Sequence, residues 1–566
     1  MTDSEAKTRG REPLPFQSRR SPVISMRGCA ASTQPIASAI GTRILQQGGN
    51  AADAAVAMAA ALNVTEPCST GIGGDCFCLY FDATTKKVRG LNGSGRSAAA
   101  TSLEHVRQLG HTGSKLPADH ALCVTVPGAA AGWVDTVEAF GTMSLRQVLQ
   151  PAIDLAEEGA PIHHITAHAW TGGARKLQRD DNPHGGALLM SNREAPSEGE
   201  VMVMKDLANT FKLLAEHGKA GFYEGRVAEA IVDCVQGHGG LLTLEDLKGH
   251  MSTFDDPISV TFKGKTVYEM PPNGQGITAL LALNILKHVP DLHRLEHNSG
   301  PYLHRVIEAL RLAFADSMWF VADPATEHVP ITQLLSEEYG KARAQLIHPD
   351  GPTAPDVKRG NPFASTDTVY FTVVDAQGNA CSFINSNYMG FGTGYVPKAC
   401  GFTLQNRGHN FILQEGHPNC LAPRKRPYHT IIPAMATNID DGSLYASFGV
   451  MGGFMQPQGH VQVLLNMLLF GMDPQRALDV PRFCIGPGHE GVDSDICVED
   501  GVDEEAVSWL SRVGHPVSVT RGYSRALFGR GQIIQQVTRA DSTGRARRVF
   551  IAGSDPRGDG CALPAV

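Results

Sequence analysis

The chain has 566 residues, 42% of them apolar, and a formal net charge of -8. Such a length buries a large core and exceeds the usual single-domain range of about 50–250 residues, so length alone predicts two to four domains. The charge balance leaves no basic stripe for nucleic acid and makes small molecules the expected partners.

Residues 1–22 are polar, with Arg9, Arg11, Arg19 and Arg20, and lack the apolar stretch of about 7–15 residues that a signal peptide needs. They read as a disordered tail, and a cytoplasmic location is the expectation. Residues 34–47 have helical periodicity that stops at Gly48-Gly49, and 50–62 form an alanine-rich helix. The longest apolar run, 51–64, is broken by Asp53 and falls short of the roughly 20 residues that span a bilayer, so it predicts a buried helix. Residues 76–81 predict a strand that turns at Asp82, and 145–158, 206–216 and 302–320 predict amphipathic helices of one helical layer. Between 347 and 364 lie Pro349, Pro352, Pro355 and Pro362 with Gly351 and Gly360, and no periodicity, which predicts an exposed, mobile connection. Short strands follow at 369–374, 380–384, 402–405, 431–437, 444–448 and 532–538. The pairs at Trp133 and Trp170 read as packing anchors, and His460 as a residue opening a helix.

No metal or cofactor motif stands out. The twelve cysteines are scattered, and Cys76-Phe77-Cys78 lacks the paired spacing of a zinc site, so buried thiols are expected. His163-His164 and His168 carry no accompanying Glu of the zincin kind, and Gly71-Ile72-Gly73-Gly74 lacks the strand–GxGxxG–helix order of a dinucleotide loop.

The stretch Asp367-Thr368-Val369-Tyr370-Phe371-Thr372-Val373-Val374 places one hydroxyl at the head of a β-branched, aromatic strand. Asp375-Ala376-Gln377-Gly378-Asn379 then supplies turn chemistry, which predicts a hairpin. If the peptide bond before Thr368 is cut, its freed α-amine, with a pKa of about 8, lies within reach of its own hydroxyl. Nucleophile and base become one residue. A threonine opening a strand is by itself ordinary β-propensity, and the rest of the chain supplies the context.

That context is Gly48-Gly49-Asn50-Ala51-Ala52-Asp53-Ala54-Ala55-Val56, Glu66-Pro67-Cys68-Ser69-Thr70-Gly71-Ile72-Gly73-Gly74-Asp75 and Glu308-Ala309-Leu310-Arg311 in the first part. In the second it is Phe391-Gly392-Thr393-Gly394, Lys425-Arg426-Pro427, Met451-Gly452-Gly453 and Gly553-Ser554-Asp555-Pro556-Arg557. With these, the chain resembles the γ-glutamyltransferase family of N-terminal-nucleophile hydrolases from about Cys29 to Pro556. The resemblance implies an α+β fold, a four-layer αββα sandwich built from two chains cut from one precursor. Residues 23–367 become the large (α) subunit and 368–566 the small, catalytic (β) subunit, with cleavage between Asp367 and Thr368.

The resemblance also implies roles. Thr368 is the nucleophile, and Ser386 stands where relatives place a second threonine that supports it. Gly452-Gly453 supplies the oxyanion hole, because backbone N–H groups converge on an oxygen only where no side chain intervenes. Arg96 falls where relatives hold the substrate's α-carboxylate, a task suited to a planar guanidinium. Asn410, however, stands where an aspartate binds the α-ammonium, and Pro427-Tyr428-His429-Thr430 replaces a pair of serines, so His429 and Thr430 line the pocket. Arg407 adds a second cation. The expected activity is cleavage of γ-glutamyl amides such as glutathione through a threonyl acyl-enzyme, with water or an amino acid as acceptor and no cofactor, metal or membrane span. The alternatives are an amidase or acylase of the same fold acting on oxamate-like or glutaryl-type amides without an α-amine, and an unprocessed, non-catalytic binding protein.

Overall fold

A computed structural model describes residues 20–353, 368–486 and 496–566. Asp367, and the predicted connection from 354 to 364, lie outside the described residues. The part before residue 354 supplies β1 (Val23–Ser25), β2 (Gly28–Ser32), β3 (Asp75–Asp82), β4 (Lys87–Gly93), the short ribbon β5 (Ala160–Pro161) and β6 (Val201–Met202), and the hairpin β7 (Ile258–Phe262) and β8 (Lys265–Glu269). The part from Thr368 supplies β9 (Val369–Asp375), β10 (Ala380–Ser386), β11 (Ala434–Asn438), β12 (Leu444–Met451), the three short strands β13 (Phe483–Ile485), β14 (Ile496–Glu499) and β15 (Val517–Thr520), and then β16 (Arg530–Ala540), β17 (Ala546–Ser554) and β18 (Cys561–Pro564).

Two main sheets result. One runs β1-β17-β16-β12-β11-β8-β7 and the other β18-β2-β9-β10-β3-β4, so each mixes strands from both parts of the chain. All pairings within them are antiparallel. Side chains along a strand alternate between faces, and the sequence uses that period to build three apolar layers. On β3, Phe77, Leu79 and Phe81 join Tyr370, Val374 and Ile384 in packing against Met435, Leu444, Ile534 and Phe550 of the facing sheet. The alternate residues Cys76, Cys78, Phe371, Val373 and Phe383 face a helical layer instead. The outer face of the seven-stranded sheet, with Phe262, Val267, Phe448, Val450 and Ile533, packs on a second helical layer. Helix, sheet, sheet, helix is the predicted four-layer order. One shared inter-sheet core replaces the two to four domains that length alone predicts.

The helices follow from their composition. Ala51–Thr65 is buried along its whole length, which its small side chains permit. Asn50 caps it, accepting from the amides of Ala52 and Asp53, while the Asp53 carboxylate accepts from the Asn50 amide at 2.9 Å. Leu145–Glu158 matches its predicted span, and Gly300–Phe320 runs two residues longer than the pattern suggests. Residues 402–405 do not form a strand. They are held by single bonds to loops, Leu404 N to the Tyr395 carbonyl and Gln405 N to that of Gly73, so the apolar pattern there reflects burial rather than a ladder. His460 does not open its helix but lies inside Met455–Phe470, bonded through Nδ1 to Glu269 at 2.8 Å.

Candidate active site

The period-2 alternation that builds the inter-sheet core also aims the site residues. Thr368 precedes Tyr370 by two, Ser386 follows Ile384 by two, and Asp75 precedes Phe77 by two, so all three face the space between the sheets at one end of the sandwich. Asn385 pairs with Val369, and Ser386 with Asp75 across the next strand. Thr368 is fully buried, and its Oγ1 lies 2.9 Å from Ser386 Oγ. Ser386 Oγ also accepts the Tyr388 amide at 2.8 Å, which fixes a side chain that lacks the methyl of threonine. On the opposite face, Asn385 is clamped by Trp133 Nε1, Thr70 and Gly71, so the end of β10 is held from both sides.

Asp75 is the charged centre of this end. Its carboxylate accepts from the amides of Gly95 and Gly128, from Gln405 Nε2 and from His429 Nε2, at 3.0, 3.1, 3.0 and 3.0 Å. Burial alone raises its pKa, but the His429 bond, the charge of Arg407 and the Gly95 amide outweigh burial and hold it below the ordinary value. His429 is pushed down to about 3, first by burial and then by Arg407, so it is a neutral imidazole with its Nε2 proton on Asp75. Its Nδ1 faces the Ile431 amide at 3.4 Å. Both ring nitrogens are therefore engaged by the protein itself.

Arg407 is also fully buried. Its Nη1 donates to Thr430 Oγ1 at 2.6 Å, and its guanidinium carbon sits 4.5 Å from the centre of the Tyr388 ring. Burial pushes its pKa down to about 10 against the pull of Asp75, which leaves it cationic at neutral pH. Arg407 forms no ion pair among the described residues, and its Nε and Nη2, like the Tyr388 hydroxyl, have no hydrogen-bond partner. Asn410 donates through Nδ2 to the Tyr428 carbonyl at 2.9 Å, and its own carbonyl accepts from Asn419.

Gly452 and Gly453 have φ of 128° and 57°, in the region that favours glycine. Their carbonyls accept the amides of Met455 and Gln456 at the start of the helix Met455–Phe470. In a trans peptide the N–H points opposite to the C=O, so the Gly453 and Phe454 amides turn away from that helix. Gln275 braces this turn: its Nε2 donates to the carbonyls of Thr430, at 2.6 Å, and Gly453, at 2.8 Å. Its Oε1 accepts from Tyr428 Oη.

Arg96 sits apart from these contacts. Half-buried, it lines a cavity of about 250 Å³ with Glu245, Asp246, His250 and Arg424. Backbone links tie it to the cluster: the neighbouring Gly95 amide donates to Asp75, and the Arg96 carbonyl accepts from Val126, whose own carbonyl accepts from Gln405. The structure thus brings Thr368, Ser386, Arg407, His429 and Thr430 together, with Asn410 at the edge. Tyr388, Asp75, Gln275 and Gln405 join them without having been singled out as site residues. Asp75 ends one of the motifs of the resemblance, but Tyr388 carries no local signal, because its role rests on a left-handed backbone, φ 78°, that nothing in its side chain demands.

A buried cluster of His304, Glu308 and His515 has metal-like proximity, with ligand atoms within 4.8 Å. Its protons are accounted for by hydrogen bonding instead. Arg311 donates to Glu308 and to His515 Nδ1, His515 Nε2 faces His304 Nδ1 at 2.7 Å, and His304 Nε2 donates to the His348 carbonyl. A guanidinium inside the cluster fits this relay and not a divalent cation.

The γ-glutamyltranspeptidase family model matches residues 37–565. The chain is 38% identical to a glutathione hydrolase-like proenzyme of Bacillus subtilis (strain 168), over 96% of its own length and 99% of that protein. It is 30% identical to the oxamate amidohydrolase proenzyme of Klebsiella pneumoniae, over 95% and 98%. The crystal structure of a cephalosporin acylase from Bacillus halodurans superposes with a TM-score of 0.87 at 39% identity, covering 98% of this chain and 99% of that one.

Proposed function

Because this chain belongs to the γ-glutamyltranspeptidase family, we propose that it is a self-processing amidohydrolase in which Thr368 attacks the carbonyl of a carboxylate-bearing amide. The observation that carries this reading is the Thr368 Oγ1 to Ser386 Oγ contact of 2.9 Å at the end of the inter-sheet space. A neutral hydroxyl needs a partner that orients it and a base that takes its proton. Ser386 supplies the first. The second exists only once Thr368 is an N-terminus.

In the first reaction the Thr368 hydroxyl adds to the Asp367 carbonyl, the C–N bond breaks as the amine takes a proton, and the resulting ester is hydrolysed by water. The same hydroxyl then adds to the substrate amide while the free α-amine accepts its proton. Gly452-Gly453 is proposed to hold the oxyanion through the amides turned away from the helix Met455–Phe470. The amine product leaves with a proton from the α-ammonium, and water, or an amino acid amine, releases the acyl group. Arg96 is proposed to meet the acid at the pocket rim. γ-Glutamyl amides such as glutathione and amides without an α-amine both present the required carboxylate. The uncleaved binding protein loses ground to this reading, since it gives no use to the Thr368–Ser386 pair.

The test is direct. Purified protein should run as two chains on a denaturing gel, the smaller beginning at Thr368, and Thr368→Ala should stay as one chain and cleave no amide. An active protein that remains full length overturns the reading. Among the described residues no helix is long and apolar enough to cross a membrane; a cytoplasmic site of action is proposed, with cell fractionation as its check.

A further inference from the structure

A guanidinium donates five N–H bonds, and the Nε and Nη2 protons lie along one edge with the spacing of two carboxylate oxygens. In Arg407 that edge is the unmet one: Nη1 is taken by Thr430, while Nε and Nη2 have no partner among the described residues although the side chain is fully buried. Leaving charged donors unsatisfied in the interior is costly unless a ligand completes them. The Tyr388 hydroxyl, equally buried, is likewise without a partner among the described residues, and its ring lies against the same guanidinium. Tyr388 is in turn tied to the nucleophile, because its amide donates to Ser386 Oγ, which contacts Thr368 Oγ1.

A substrate ammonium meets no unpaired anion here among the described residues. Asp75 faces Arg407, but its charge is already shared among four donors, Gly95, Gly128 and Gln405 on Oδ1 and His429 on Oδ2. Asn410 is neutral, with one amide proton on the Tyr428 carbonyl, and Gln405 Oε1, a buried acceptor without a partner among the described residues, carries no charge either. Arg96, by contrast, is only partly buried and lines a separate cavity.

Resting on the amidohydrolase reading above, we infer that Arg407, carried on the Tyr388 ring, is the receptor for the acyl donor's free carboxylate, and that the site takes monoamides of dicarboxylic acids in preference to those bearing an α-ammonium. The buried cation repels an ammonium at the place where it attracts the acid, so one residue sets both the affinity and the discrimination.

The processed enzyme is assayed on glutaryl p-nitroanilide and γ-glutamyl p-nitroanilide, which differ only in the α-ammonium. The glutaryl substrate should have at least tenfold higher kcat/KM, and free glutarate should compete with a Ki at least tenfold below that of L-glutamate. Arg407→Gln should still self-cleave, lose at least 30-fold in kcat/KM on the glutaryl substrate mainly through KM, and change less than threefold on the γ-glutamyl one. Tyr388→Phe, which keeps the stacked ring, should lose about three- to tenfold on the glutaryl substrate alone. A wild type that binds L-glutamate as tightly as glutarate overturns the inference whether or not the variants fold, as does an Arg407→Gln enzyme within threefold of wild type. A wild type that neither self-cleaves nor turns over any acyl anilide overturns the amidohydrolase reading first, and this inference with it.

Discussion

In the proposed mechanism Ser386 supports the Thr368 hydroxyl from 2.9 Å away. It lacks the methyl that limits threonine to fewer rotamers, and the Tyr388 amide at 2.8 Å does the restraining instead. Ser386→Ala should therefore slow self-cleavage and amide hydrolysis by about 10- to 100-fold, the range for losing one buried hydrogen bond to a reacting group, while Ser386→Thr should keep most of the activity. Rates from timed gels and anilide release decide this, and an unimpaired Ser386→Ala removes the residue from the mechanism. Asn410 bears on specificity. Adding an anion by Asn410→Asp should raise the γ-glutamyl to glutaryl ratio of kcat/KM by about tenfold, since one charge-assisted contact is worth about 1.4 kcal/mol or more; a ratio unchanged within twofold dismisses it. At this scale the sequence was legible where chemistry names its own residue type. Thr368, Gly452-Gly453 and Arg96 could each be pointed to because the resemblance marks a residue type suited to its task. Tyr388 could not, because its value lies in a ring placed under Arg407 by a backbone turn.

The turn Gly452-Gly453 between β12 and the helix Met455–Phe470 depends on a residue far away in sequence. Gln275 holds the carbonyls of Gly453 and Thr430 together, so Gln275→Ala should loosen the turn, while the Thr430 side chain keeps its own bond from Arg407. We expect kcat to fall about tenfold with KM changed less than threefold, measured by steady-state kinetics on one substrate; a change confined to KM contradicts the bracing role. Among elements, those with a repeating pattern were readable. The helices Pro35–Gln46, Leu145–Glu158 and Lys205–His217 announce themselves by period, caps or stop signals. Residues 402–405 mislead because burial between loops imposes the same apolar sequence as burial in a sheet. Gln275 follows no period at all, and its bonds to the two carbonyls appear only when the loop at 271–275 meets the segment at Thr430 that leads into β11.

Across the whole molecule, buried ionisable groups set an optimum of stability. His250 and His429 are each pushed down to about 3, by burial first and then by neighbouring arginines. Folded, they stay neutral, whereas the unfolded chain protonates them below their ordinary 6.5, so stability falls as pH drops from about 6.5 toward 3. Glu269 works in the other direction. Burial raises its pKa well above the ordinary 4.5, so it keeps a proton that the unfolded chain releases. Its partner His460, pushed down to about 3 by burial, cancels this effect between about 4.5 and 6.5. Above about 6.5 the cancellation ends, and stability declines as pH rises. Urea midpoints should therefore peak near pH 6.5, and Glu269→Gln should flatten the alkaline side; a wild-type midpoint level from pH 5 to 9 refutes this. The layered fold itself was legible only through resemblance, because length pointed to several domains and no period in the sequence tells one sheet from the other. The ladders β1–β17, β2–β18, β2–β9, β3–β10 and β8–β11 each join a strand from before residue 354 to one from after Thr368. The cut proposed before Thr368 would leave every one of those ladders in place but change the molecularity of assembly. The precursor refolds as a first-order process, whereas the mature pair, once unfolded and diluted, must find its partner by collision, and neither half keeps a complete sheet alone. Maturation thus works as a ratchet, in which an active enzyme records that its chain folded while it was still whole.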